Sequence, residues 1–280
     1  MNLKNKLDKI PSIYYVNLDN RVDRREYMEN QFDYWEIDNF NRVSATKYLA
    51  SEFDDWKHLI SNKKYYQIPN KNAVAAFLSH IKMIKKWLEE TNEKYFIMME
   101  DDYDLSLIKY WNFDWTFLMN QIPFDWDCLQ LGFESFDYIN FFLHPKRHFT
   151  YFGACMINRH YAEKLIKLYM DGEKVIIDNE INDVHHLEKG HGIGDVDYSI
   201  CHNGKTYCIP LIPQNPNIKS HENFIERRNW GHVFKTYDLY YDWWTNDHHK
   251  FSLRDFFTYG KINDGAMTKE FNNVGMKIAY

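Results

Sequence analysis

The chain has 280 residues, of which 45% are hydrophobic, so it can bury a full core and fits one large domain or one domain with a small extension. Its formal net charge of −6 provides no general attraction to polyanions, so we expect no nucleic-acid partner. No apolar run approaches the roughly 20 residues that cross a bilayer, and the opening residues lack the apolar core of a signal peptide. We therefore expect a cytoplasmic protein without a transmembrane segment. The cysteines suit reduced thiols there, because none has Cys-x-x-Cys spacing: Cys128, Cys155, Cys201 and Cys208.

Strand-like and helix-like segments alternate along the chain. The predicted elements are a strand at residues 12–17, a helix at 23–32, a helix at 72–90, a strand at 96–99, strands at 126–131 and 151–157, a helix at 160–170 and a short strand at 205–209. A turn at residues 17–20 separates the first strand from the first helix. This alternation predicts an α/β fold with a mostly parallel sheet covered by helices.

The end of the chain has a different composition. From about residue 223 aromatic residues are interleaved with charges: Trp230, Tyr237, Tyr240, Tyr241, Trp243 and Trp244. No internal repeat and no low-complexity linker separates this tail from the rest. We therefore predict one domain at residues 1–222, with residues 223–280 as an aromatic-rich extension packed on it.

The most informative stretch is an apolar run that ends in three carboxylates. Phe96 to Met99 reads as a buried strand, and Glu100, Asp101 and Asp102 follow it directly. Carboxylates this close repel one another unless they are solvated, protonated or neutralised by a cation, and a hard divalent ion with oxygen ligands is the natural partner. The alternative interpretation is an acidic turn in water. In open α/β sheets ligands bind outside the carboxyl ends of strands, which favours the metal site.

Several short blocks occur in an order that resembles the family 25 glycosyltransferases, which include lipopolysaccharide sugar transferases and collagen hydroxylysine galactosyltransferases. The resemblance extends over roughly residues 12–221, and its specificity lies in the shared order of the blocks. The blocks are residues 16–25, with Asn-Leu and spaced arginines; residues 42–45; residues 76–80, ending in Leu-Ser-His; Glu100-Asp101-Asp102; residues 153–159; Asp195-Val196-Asp197; Pro213-Gln214; and Ser220-His221.

The resemblance implies a GT-A type fold, a Rossmann-like mixed sheet flanked by helices, that binds a UDP-sugar and transfers its hexose, with galactose the first choice. Glu100 and Asp102 would bracket the metal and the ribose, with Asp101 close by. His221 is the candidate third ligand, and an imidazole ligand would favour Mn²⁺ over Mg²⁺. The alternative for His221 is a loop histidine that only titrates near neutral pH.

A catalytic base is needed if the reaction inverts the anomeric carbon, as the resemblance suggests. Asp197 is the candidate that would take the proton from the acceptor hydroxyl. Asp195 is its rival, and either residue could instead cap the following segment.

The donor side is assigned to residues near the first strand and on the helix before the acidic strand: Asn17, Leu18, Arg21, Arg25, Ser44, Ser79 and His80. Guanidinium groups suit phosphate oxygens, which favours the arginines. Arg25 could equally lie on a solvated helix face paired to acidic neighbours. His80 falls on the apolar stripe of its helix, so a core histidine is the strong alternative.

The acceptor is expected to be a glycan or a hydroxylysine-containing chain, and a homodimer is one option for the assembly. Residues 185–191 are rich in histidine but lack His-Glu-x-x-His spacing, so we interpret residues 183–194 as an acceptor-side loop or lid rather than a zinc site. The absence of a secretory signal and of a C-terminal retention sequence favours a microbial or viral enzyme, in the host cytoplasm if viral. Two alternatives stay open: a metal-dependent nucleotidyl or phosphoryl transferase, and a non-catalytic carbohydrate-binding relative.

Overall fold

The structure is a computed structural model that describes residues 3–46, 58, 60–61, 71–135, 138–146, 150–151, 153–176, 200–218, 231–257 and 276–277. The strands are β1 (Ile13–Asn17), β2 (Phe40–Ser44), β3 (Ile60–Ser61), β4 (Tyr95–Glu100), β5 (Cys128–Gln130), β6 (Glu134–Ser135), β7 (Tyr138–Ile139), β8 (His144–Pro145), β9 (Thr150–Tyr151), β10 (Cys155–Asn158), β11 (Met170–Asp171), β12 (Lys174–Ile176), β13 (Thr206–Cys208) and β14 (Met276–Lys277). The α-helices are α1 (Val22–Trp35), α2 (Lys71–Glu90), α3 (Trp115–Gln121), α4 (Arg159–Tyr169), α5 (Gly231–Asp242) and α6 (Leu253–Phe256), with shorter 3-10 or π-helical turns at Leu3–Leu7, Ser106–Tyr110, Trp243–Asp247 and His248–Lys250.

A seven-stranded mixed sheet organises the fold, in the order β2-β1-β4-β10-β5-β13-β8. Each strand and helix predicted from the sequence overlaps an observed one. The mixed sheet flanked by helices, which the family resemblance implies, is confirmed, whereas the mostly parallel sheet predicted from the alternation of elements is wrong. Three of the six strand pairs are antiparallel, because β10 runs against both β4 and β5, and β8 against β13. The physical reason is the connection: between β5 and β10 the described chain forms only short strands, not the helical crossover that a parallel neighbour requires.

Apolar layers cover both faces of the sheet, and the strands sort their side chains between them with a period of two. In β4, Ile97 and Met99 join one buried cluster with α1, whereas Phe96 and Met98 join the other with α2 and α4. A strand that is apolar at every position is the sequence signature of this two-sided burial. Among the described helices, none has the length and apolar character needed to cross a membrane.

The aromatic tail forms part of the first of these clusters. Tyr240, Trp243 and Trp244 are buried there, the Trp243 ring stacks on Phe141 at 4.7 Å, and the Trp244 indole donates a hydrogen bond to the Pro210 carbonyl at 2.9 Å. The described tail therefore packs on the main sheet through large aromatic contacts. The boundary between residues 222 and 223 stays a prediction.

Candidate active site

Three parallel strands end together at one edge of the sheet. Asn17 at the end of β1 is in register with Ser44 at the end of β2, and Glu100 at the end of β4 lies opposite Val16. The chain leaves β1 through α1 to reach β2 on one side, whereas β4 lies on the other side of β1, so the strand order reverses between β1 and β4. Such a switch point opens the crevice where α/β proteins bind ligands.

Residues 100–104, called the acidic loop, lie at this edge of the sheet. The side chain of Arg24 neutralises part of their negative charge. One guanidinium nitrogen of Arg24, on α1, lies 2.7 Å from an Asp101 carboxylate oxygen and 3.0 Å from an Asp102 carboxylate oxygen. The other oxygen of Asp101 accepts a 2.7 Å hydrogen bond from the Asn17 amide. Glu100, Asp101 and Asp102 carry three negative charges when all are ionised, and Arg24 balances one of them, so two have no counter-charge among the described residues.

The two oxygens of Asp102 have different surroundings. Oδ2 accepts a hydrogen bond from Gln214 at 3.1 Å, whereas Oδ1 is buried and accepts no hydrogen bond within the described residues. Burial raises the pKa of Asp102 despite the opposing charge of Arg24. An oxygen donor without a partner, beside uncompensated negative charge, fits a hard divalent cation. No three His, Cys, Asp or Glu side chains in the described ranges form a complete set of metal ligands, so the metal site stays a prediction.

Glu100 faces both solvent and the core histidine of α2. Its carboxylate lies 3.9 Å from Nε2 of His80, whose Nδ1 is 2.8 Å from the Ala76 carbonyl. Because a carbonyl can only accept, Nδ1 carries the proton and donates it to Ala76. Burial lowers the pKa of His80 to about 4, so the imidazole is neutral at pH 7. His80 is thus a buried histidine that also turns its second nitrogen toward the candidate site.

The stability of the unliganded protein should fall as pH rises because of Glu100. Although the Glu100 side chain is 36% exposed, desolvation in the crevice and the charges of Asp102 and Asp101 raise its pKa from 4.5 to about 8. The folded state then binds this proton more tightly than the unfolded chain, so the stabilisation is complete below about pH 4.5 and is lost as pH rises through about 8. Urea midpoints at pH 5, 7 and 9 should show this decline, and Glu100→Gln should flatten it. A slope that is the same in wild type and variant would contradict the assignment.

The predicted donor residues of the first strand and helix are occupied by contacts within the protein. The Asn17 side chain donates to the Arg21 carbonyl at 3.0 Å and accepts from Arg42 at 2.8 Å, in addition to its bond to Asp101. Arg21 makes two 2.9 Å hydrogen bonds to the Asp23 carboxylate and holds the pKa of Asp23 down at about 2. Asn17 therefore joins the ends of β1 and β4 through its side chain.

The remaining donor candidates line the same edge. The Leu18 carbonyl accepts from the Arg21 amide, and half-buried Arg25 makes no side-chain hydrogen bond or ion pair with the described residues. Ser44 donates to Asp19 at 2.8 Å. Ser79 donates to the Ala75 carbonyl at 2.7 Å and accepts from the Thr46 amide at 2.8 Å, which ties α2 to the chain after β2. The structure therefore brings the candidates to one edge, where most of their polar atoms have protein partners.

Arg24 and Glu134 are two residues of the site that were not among the candidates predicted from the sequence. Arg24 lies in the arginine-rich block, but only the packing of α1 over the crevice shows that it reaches the acidic loop. Glu134 of β6 is 9% exposed, and its charge helps to raise the pKa values of Glu100 and Asp102. The sequence feature that could have indicated Glu134 is its position shortly after β5, because the carboxyl end of β5 lies at the same edge of the sheet. The candidates Asp195, Asp197 and His221, and residues 183–194, lie outside the described residues.

The mixed seven-stranded sheet, the helices on its faces and the acidic loop at its carboxyl edge define an α/β protein with a candidate ligand site at the strand ends. The sequence model of glycosyltransferase family 25, described as an LPS biosynthesis protein, matches residues 10–170. Because this is more than half of the 280 residues, the chain belongs to glycosyltransferase family 25. The matched segment contains Asn17, His80 and the acidic loop, whereas Asp197 and His221 follow it.

Comparison with curated proteins gives no match. Among solved structures, A197 from STIV aligns with 77% of this chain and 100% of its own, at 10% identity and a TM-score of 0.39. A glycosyltransferase involved in the glycosylation of the major capsid of PBCV-1 aligns with 58% of this chain and 68% of its own, at 11% identity and a TM-score of 0.31. Both scores are below 0.5, so the fold assignment stands on the topology described above.

Proposed function

We propose that this glycosyltransferase moves a hexose, galactose in the first instance, from a UDP-sugar to a hydroxyl group on a glycan or a hydroxylysine-containing acceptor, with the help of Mn²⁺. The observation that carries the proposal is the acidic loop at the β1/β4 switch point. Within the part of the chain that the structure describes, a buried oxygen of Asp102 has no hydrogen bond and Arg24 balances only part of the negative charge. Family membership supports glycosyl transfer itself. The UDP donor, the metal and the acceptor are parts of the proposal.

The carboxylates of Glu100 and Asp102 would hold the metal, with His221 as the proposed third ligand. A divalent cation there would neutralise the charge that develops on the β-phosphate of UDP as the sugar leaves. Arg24 would keep Asp101 and Asp102 together in one orientation, because its guanidinium contacts both. Asp197 remains the proposed base, with Asp195 as its rival.

The test is thermal stabilisation by UDP, with and without Mn²⁺. A ligand at about 100 times its Kd adds about 2.7 kcal/mol to the free energy of unfolding, which is visible as a shift in melting temperature. We expect a shift with UDP that requires Mn²⁺ and is lost in Asp102→Ala. Asp38→Ala is the matched control, since Asp38 is exposed and precedes the amino end of β2, at the opposite edge of the sheet. Its shift should equal that of the wild type.

The outcomes separate the alternatives. UDP binding followed by hydrolysis of UDP-galactose faster than UDP-glucose would support the donor. Binding without turnover of any UDP-sugar, even with acceptor glycans, would favour a carbohydrate-binding relative. No shift with UDP and Mn²⁺ would overturn the proposed donor site. A cytoplasmic location in a microbial or virus-infected cell stays a prediction.

A further inference from the structure

A pair of tyrosines from the C-terminal helix contacts the acidic loop. Tyr237 and Tyr241 are four residues apart on α5, so their side chains lie on the same helix face, and their ring centroids are 4.7 Å apart. Both hydroxyl groups donate to the same carboxylate oxygen of Asp104, at 2.9 and 2.8 Å. The hydroxyl of Tyr241 also contacts the hydroxyl of Ser106.

Asp104 connects three parts of the chain by hydrogen bonds: the helix α5, the turn that begins at Ser106 and the segment at Pro213. It is only 6% exposed, and its second carboxylate oxygen accepts a 2.8 Å hydrogen bond from the Ser106 amide. Its own amide donates to the Pro213 carbonyl at 2.9 Å. A buried carboxylate with three hydrogen bonds has its orientation fixed, and each of these charge-assisted bonds is stronger than a neutral one. The loop that begins at Glu100 is therefore fixed at its far end.

The segment after β13, which the Asp104 amide contacts at Pro213, continues to Asp102. The Asn215 amide donates to the Asp102 carbonyl at 2.7 Å, and the Gln214 side chain donates to the Asp102 carboxylate at 3.1 Å. Asn215 also donates to the hydroxyl of Tyr27, on α1. Asp102 thus lies between α1 on one side and the segment held by Asp104 on the other. A shift of Asp104 would move the backbone that carries Asp102.

We infer that Tyr237 and Tyr241 are positioning residues for the donor site: by holding Asp104, α5 fixes the acidic loop in the arrangement that binds the nucleotide. The inference rests on the proposed function for the identity of the ligand. It makes α5 a functional part of the site that acts through Asp104.

The variants are Tyr237→Phe, Tyr241→Phe and the double variant, with Tyr240→Phe as the matched control. Tyr240 lies on the same helix and is buried, but its hydroxyl bonds to the backbone of Phe133 instead of Asp104. All four variants keep the aromatic ring and remove only hydroxyl groups. The single variants each retain one bond to Asp104 and serve if the double variant folds poorly.

Two readouts are needed. Hydrogen exchange at the amides of residues 104–106 reports the order of the loop without any ligand, and UDP titration in the presence of Mn²⁺ reports the donor site. We expect the double variant to exchange about tenfold faster at these amides and to bind UDP about tenfold more weakly, because charge-assisted bonds are lost. Tyr240→Phe should leave both quantities within about twofold of wild type.

A purely structural role would lower the melting temperature of the double variant and of Tyr240→Phe alike and leave UDP affinity unchanged. That result would overturn the inference while the proposed function stands. Unchanged exchange at residues 104–106 would overturn it as well. If wild-type protein does not bind UDP with Mn²⁺, the proposed function fails together with the donor part of the inference, and the exchange comparison still decides whether α5 holds the loop.

Discussion

Replacing Arg24 by methionine should lower the free energy of unfolding by about 3–5 kcal/mol at pH 7. The Arg24 side chain is 12% exposed, and the side chains of Asp101 and Asp102 are 9% and 4% exposed. Removing the guanidinium leaves two buried carboxylates without their shared counter-charge, and water has little access to replace it. Methionine keeps the apolar stem of the side chain and removes only its charged end, so packing of the stem contributes little to the loss. Urea denaturation measures the difference.

Arg25→Met is the matched control for stability. Arg25 is the next residue on α1 and has no ion pair with the described residues, so its replacement should change the free energy of unfolding by no more than about 0.5 kcal/mol. Adding Asp101→Asn and Asp102→Asn to Arg24→Met should recover much of the loss, because the uncompensated charges are then removed as well. A loss below about 1 kcal/mol for Arg24→Met alone would mean that solvent or a rearrangement neutralises the carboxylates.

The part of the fold that the sequence predicts is the part governed by local patterns. In β4 every residue from Phe96 to Met99 is apolar, and in α2 apolar residues recur at every third or fourth position. Each pattern is typical of one kind of buried element, so both elements could be predicted from the sequence. The antiparallel direction of β10 could not, because it depends on a connection through residues whose pattern resembles loops. A short strand gives no sign of its direction.

The candidate site also has a part that local sequence predicts and a part that depends on long-range contacts. The acidic loop could be predicted because three carboxylates follow an apolar strand. Its counter-charge could not, because Arg24 is 77 residues from Asp101 in sequence and reaches it only when α1 packs over the sheet. The bonds from Tyr237 and Tyr241 to Asp104 span 133 and 137 residues. Three adjacent carboxylates need a cation beside them, and the guanidinium of Arg24 is one that the chain itself provides, which reduces the negative charge left for a metal.

Replacing Gly153 by alanine should cost at least about 3 kcal/mol of the free energy of unfolding, at the upper end of the costs of overpacking. A Cβ atom at Gly153 would lie 1.8 Å from the Gly132 carbonyl oxygen and 2.6 Å from the hydroxyl of Tyr103. The first of these is backbone, which cannot rotate away as a flexible side chain can. The amides of Leu131 and Gly132 both donate to the Ala154 carbonyl, at 2.8 and 3.0 Å, so the two segments cannot separate without losing these bonds.

The close approach of Gly153 to Gly132 also leaves space for the side chain of Tyr103, which belongs to the acidic loop. Tyr103, the fourth residue of the acidic loop, is 1% exposed and lies against Gly132, just after β5, and Gly153, just before β10. It also forms a backbone bridge with Gln214. Gly153→Ala should therefore also weaken UDP binding in whatever fraction folds, because Tyr103 would have to move. Gly231→Ala is the matched control, since a Cβ atom there meets nothing within 4 Å. It should stay within about 0.5 kcal/mol of wild type by urea denaturation. Equal stability of the two alanine variants would show that the segments can move apart, and that close packing of glycine does not hold Tyr103 against the sheet.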